Sequence, residues 1–186
     1  MIACNIQHRI SVLTPAVSLF VLVFGAIWLG SAPIAAAEEV ECSSIRLEMK
    51  DGGYDVTCES DAGNDITFQT LQANASDGTH FLMVGDATTN YGYIFRSQGL
   101  RQSLTGTFDS LEVKDWHGGQ GSEGLTTSEF TSVYKSIPSA CVAFQSYAHK
   151  EAWGGGWRRH IIGFGCSRTG DRSKVYEALK LVNFPG

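Results

Sequence analysis

The sequence predicts an α+β domain: a mainly antiparallel β-sheet of about six to eight strands with one C-terminal amphipathic helix packed on it. Three observations carry this. Short runs from Ile45 to Cys166 alternate between apolar and polar residues. Turn-forming Gly, Asn and Asp residues punctuate them. A single stretch, "DRSKVYEALKLV", switches to helical spacing.

The first 37 residues stand apart from that domain. Met1–Ile10 is mildly basic, Ser11–Leu29 is almost wholly apolar, and small residues end at Ala35-Ala36-Ala37. This order is that of a secretory signal peptide, cleaved after Ala37. An uncleaved anchor is the rival, because the apolar run is long enough to span a bilayer. Pro15 and the acidic Glu38-Glu39 favour cleavage. Lipidation at Cys42 is disfavoured, since Glu39, Val40 and Glu41 are not the small apolar residues that processing needs. The expected division is a leader over 1–37 and one globular domain over 38–186. Those 149 of the 186 residues suffice for one core.

Charge and cysteines set the compartment and the partners. Losing Arg9 with the leader takes the net charge from −5 to −6. A net acidic domain lacks the basic face that nucleic acid requires. No second apolar stretch of spanning length follows, so no membrane span is expected after cleavage. Cys42, Cys58, Cys141 and Cys166 remain, an even number that an oxidising compartment turns into disulfides. The expected location is extracytoplasmic, periplasmic or secreted. Metal binding is the weaker reading, since no C-x-x-C pair is present.

The strands follow in order. In "IRLEMKDGGYDVTC", Ile45, Leu47 and Met49 alternate with charged residues, as do Tyr54, Val56 and Cys58. Asp51-Gly52 between them predicts a hairpin pairing Met49 with Tyr54, Leu47 with Val56 and Ile45 with Cys58. "DITFQTLQ" reads as a strand, with a short helix as the weaker alternative. "HFLMV" and "YGYIF" read as two strands joined by a loop, "GDATTN". "TGTFDSLEVKDW" alternates less cleanly, and the glycine-rich "WHGGQGSEGLTT" reads as a loop. "EFTSVYKS", "ACVAFQSYA" and "RRHIIGFGC" complete the strands. In the helix, Val175, Ala178, Leu179 and Val182 form the buried stripe, with Thr169 or Asp171 as N-cap.

Cys141 and Cys166 predict a register. If they face each other across a hairpin, Ala143 meets Phe164, Gln145 meets Ile162 and Tyr147 meets His160. Phe144 then covers Gly163. The reversal falls inside "WGGGW", where three glycines permit a sharp turn. Cys141–Cys166 is therefore the first expected disulfide and Cys42–Cys58 the second.

The glycines of "HKEAWGGGWRRH" are explained by that reversal, but the tryptophans are not. Trp153 and Trp157 either cap the core or form an aromatic platform beside Arg158 and Arg159, suited to sugar rings and carboxylates. "DWHGGQG" places Trp116 and His117 beside another glycine run. The candidate binding residues are Trp116, His117, Trp153, Trp157, Arg158 and Arg159.

Catalytic signatures are missing from the sequence. His80, His117, His149 and His160 form no metal-ligand motif, and no nucleophile elbow or phosphate loop occurs. No cofactor or metal is expected, and no residue is assigned a catalytic role. Asp115 with His117, or Glu151 with His149, offers an acid–base pair for a hydrolase, as adjacent residues often do by chance. "NAS" at Asn74 matches a glycosylation acceptor, relevant only in a eukaryotic secretory pathway. The leading expectation is non-catalytic binding of an envelope component, a glycan or a protein. The alternatives are a structural envelope protein with the same loops packed inward, and the hydrolase.

Overall fold

The computed structural model describes residues 37–50, 52–63, 65–90, 94, 99–122, 124–134, 137–150 and 156–184. The elements are β1 (Glu38–Val40), a 3-10 turn (Cys42–Ser44), β2 (Glu48–Met49), β3 (Tyr54–Ala62), β4 (Ile66–Ala75) and β5 (His80–Thr89). They continue with α1 (Leu100–Thr107), β6 (Lys114–Ser122), β7 (Leu125–Tyr134), β8 (Ile137–Lys150), β9 (Trp157–Ser167), α2 (Ser173–Leu181) and β10 (Val182–Asn183). Eight strands make one sheet in the order β1-β3-β4-β5-β9-β8-β7-β6, and every neighbouring pair is antiparallel. Two meanders build it. β3–β5 form one half, and β6–β9 return from the far edge until β9 pairs with β5. The α+β class stands as the sequence predicts, with one helix more than expected.

Both expected disulfides are formed, Cys42–Cys58 and Cys141–Cys166. Each stabilises by roughly 2–4 kcal/mol, in one account by restricting the unfolded chain. The β8–β9 register is the one that the cysteines predict: Cys141 faces Cys166, Ala143 faces Phe164, Gln145 faces Ile162 and Tyr147 faces His160. Phe144 covers Gly163 so closely that a Cβ there would run into its ring and into the Met83 carbonyl. Glycine is thus required for β5, β9 and the Phe144 ring to close together.

The hairpin expected at Asp51-Gly52 is absent. β3 pairs with β1 through Val40–Cys58 and with β4, whereas β2 pairs with β10 through Met49–Val182. Alternation predicted the buried side correctly, since Ile45 and Leu47 are buried at 6% and 0% exposure. It could not choose the partner. The Cys42–Cys58 bridge draws the preceding segment onto β3, and residues 45–49 then cross the sheet face to the chain's C-terminal end.

Three further expectations change. "GDATTN" is not a loop, because β5 runs on to Thr89; "YGYIF" lies outside the described residues except Ile94, whose backbone pairs with Trp157. "TGTFDSLEVKDW" opens in α1, where Leu100 and Leu104 share one buried face one turn apart. "WHGGQGSEGLTT" is the β6–β7 hairpin, with two register shifts in β6. Asp115 takes φ 43° at the first shift, and its carboxylate accepts a hydrogen bond from Thr131 at 2.7 Å. Such bulges twist an edge strand away from pairing with another chain.

Each face of the sheet carries a helix. On one face, Val175, Ala178 and Leu179 of α2 join Ile45 and Leu47 over Leu71, Leu82, Val84, Val142 and Phe144. On the other, Leu100 and Leu104 of α1 join Leu111 over Phe81, Phe130, Ile162 and Phe164. Fully burying one such side chain stabilises by roughly 1.5–3 kcal/mol. Asp171 accepts from the Ser173 backbone N–H at 3.0 Å just before α2, although the helix boundary itself falls at Arg172.

Candidate functional site

The end of the β8–β9 hairpin carries the expected aromatic and basic residues. Lys150 faces Trp157 across the strands. Its ammonium lies 5.8 Å from the centre of the Trp157 ring, within cation–π range. Trp157 is half-buried, with its ring centre 5.7 Å from that of Tyr147. Tyr147 stacks in turn on His160, 4.3 Å away and tilted by only 8°. Three rings thus form a ladder, with the exposed Arg158 on the same strand. Trp153 lies outside the described residues.

Arg159 has a different role in the geometry. It is 3% exposed, and it grips Asp86 of β5 through Nε at 2.8 Å and Nη2 at 2.7 Å. Asp86 is itself 1% exposed. A two-point charged contact fixes orientation as well as distance. It therefore clamps the outer part of β9 to β5, just inside the aromatic ladder.

Two polar atoms, His160 Nε2 of the ladder itself and Gln145 Oε1, are buried without a hydrogen-bond partner among the described residues. Burial pushes the His160 pKa down to about 4, against a smaller opposing pull from Asp86. The ring is therefore neutral at pH 7 and stacks as an uncharged aromatic.

Trp116 and His117 belong to a different place. Trp116 packs on Phe130 at 5.7 Å between ring centres. His117 is exposed and faces Glu129, which faces Val142, which faces Gly165. Gly165 stands eight residues from Trp157 along β9, about 26 Å at strand spacing. His117 and Trp157 are therefore not neighbours in the sheet.

His117 instead lines a polar cleft of about 170 Å3 with Thr127, Glu129 and Tyr176. The Tyr176 hydroxyl donates to Glu129 at 3.2 Å, and Arg172 lies 3.7 Å from the same carboxylate. Burial and then the Glu129 charge raise the Tyr176 pKa, so the phenol stays protonated and donates. Glu129 stands directly opposite His117 across the strands and lines the same cleft, while the carboxylate of Asp115 is engaged by Thr131. Glu129 and Tyr176 were not legible as partners, being 47 residues apart with no motif joining them.

The remaining histidines divide. His80 has both ring nitrogens engaged, Nε2 with Tyr54 at 2.7 Å and Nδ1 with Thr79 at 2.9 Å, as a structural histidine does. His149 is exposed at φ 57°, and Glu151 lies outside the described residues. Among the described residues no three His, Cys, Asp or Glu side chains group as metal ligands, and no helix is long and apolar enough to cross a membrane.

No protein-family model, curated protein or solved structure matches this chain.

Proposed function

We propose that this chain is an exported, disulfide-stapled, non-catalytic binding domain whose β8–β9 hairpin end contacts an envelope component, a glycan or a protein. The observation that carries this reading is the Trp157–Tyr147–His160 ladder, flanked by Lys150 and Arg158. A ligand gains from aromatic rings only if they are already held in place. Here the Asp86–Arg159 clamp, one residue from His160, supplies that rigidity. Two disulfides favour an oxidising compartment. Cleavage after Ala37 would keep β1 whole, because β1 starts at Glu38.

The test is retention on envelope fractions, measured beside a thermal melt. Trp157→Ala and Arg158→Ala should each weaken retention, with the tryptophan change costing about 1 kcal/mol or more. The Arg158 variant should melt as the wild type does. Unchanged retention in both variants would reject the hairpin end as the binding surface. Export is tested by N-terminal sequencing of the extracytoplasmic protein, which should begin at Glu38; a membrane-bound chain retaining Met1 would reject cleavage.

A further inference from the structure

We infer a second binding site, separate from the hairpin end: a trough on the α1 side of the sheet that takes one sugar ring bearing a protonated amine. α1 packs over β8 and β9, which leaves room over β3–β5. A cavity of about 220 Å3 lies there, walled on one side by the end of α1. Drug-sized ligands occupy larger pockets, so this volume suits a single ring.

Its floor is apolar and fixed. Phe68, Met83 and Phe108 supply it. The Phe68 ring folds over Gly85, where a Cβ would sit 2.7 Å from Cζ. Phe108 is held edge-on against Phe164, 5.2 Å between centres. Neither ring needs to be ordered by the ligand. The C–H face of a pyranose packs on such rings.

The opposite wall is polar and unspent. Thr57, Glu59 and Thr70 line it, and their side chains make no hydrogen bond or ion pair to another described residue. Gln72 gives its amide N–H to Asn74 at 3.3 Å and keeps its carbonyl oxygen. These groups match ring hydroxyls, which both donate and accept.

Charge selects the substituent. Glu59 stands directly opposite Glu39 of β1, and Asp61 follows two residues on along the same side of β3. None of the three forms an ion pair with a described residue. Like charges facing each other across strands are unfavourable until a cation joins them. An amine on the sugar supplies that cation beside the Phe68 ring, and a carboxylated or sulfated sugar is repelled.

The test is calorimetric titration of the full exported protein with three trisaccharides: glucosamine, N-acetylglucosamine and galacturonate. The expected result is saturable binding of the glucosamine trimer alone. Glu59→Gln should weaken it about tenfold, the usual effect of losing a charged hydrogen bond, and Gln72→Ala should weaken it with the fold intact. Both residues are on the open wall, so neither change empties the core. Trp157→Ala should leave this binding unchanged, which separates it from the hairpin end. No saturable binding of glucosamine trimer, equal binding of the galacturonate trimer, or loss with Trp157→Ala instead of Glu59→Gln would each overturn the inference.

Discussion

Arg159 and Asp86, 73 residues apart in the chain, form a buried pair with two hydrogen bonds of 2.8 and 2.7 Å. Such a pair is a weak source of net stability, because both charges leave water to make it. Its value here is positional. It ties β5 to β9 at the end of the sheet where the aromatic ladder stands.

Breaking the pair from one side leaves the other charge buried alone. Asp86→Asn or Arg159→Met should each cost about 3–5 kcal/mol, read from urea unfolding. The double change Asp86→Leu/Arg159→Met should recover most of that loss while weakening envelope retention, since the clamp is gone. Equal instability of the double and single variants would show that the charges contribute stability directly.

Gly163 should tolerate no side chain. Its Cβ would meet two obstacles, the Phe144 ring and the Met83 carbonyl. Gly163→Ala should destabilise by about 1–3 kcal/mol, the usual range for overpacking. Adding Phe144→Leu should rescue only part of that loss, because the carbonyl stays. Complete rescue would mean that the ring alone demands glycine.

His160 gives the fold a pH dependence of known sign. Its folded pKa of about 4 lies below the ordinary 6.5, so the unfolded chain takes the proton first. The stability it contributes is full above about pH 6.5 and is lost as pH falls towards 4. The limit is on the order of 3 kcal/mol. His80, held low by burial, adds the same sign. Asp77 and Asp171, both held low chiefly by hydrogen bonds from Thr79 and Ser173, act only below the carboxylate's ordinary 3.8. His160→Phe should therefore flatten the slope between pH 6.5 and 4 in unfolding measurements, and an unchanged slope would exclude His160 as its source.

The parts legible in the sequence are those set by neighbours in the chain. Cys141 and Cys166 lie 25 residues apart on either side of one reversal, so a single pairing fixed the register of ten facing pairs and placed Phe144 over Gly163. At Ile45–Met49 the alternation showed which side is buried, but the partner was β10, more than 130 residues away, where no local signal reaches. α1 was missed because "LRQSLTGT" contains Gly106, two threonines and only two buried apolar residues. Arg159 was read as ligand-facing from its place beside Trp157 and Arg158. Its burial depends on Asp86, a residue inside a segment read as a loop.

The most direct test of the binding account needs no mutation. Hydroxyl-radical footprinting of the protein, with and without envelope extract, reports which side chains become covered. The account predicts protection at Trp157 and Tyr147, with Trp116 and Tyr176 at the other end of the sheet unchanged. Protection confined to Trp116 and Tyr176, or none at Trp157 under conditions where the protein is retained, would contradict it.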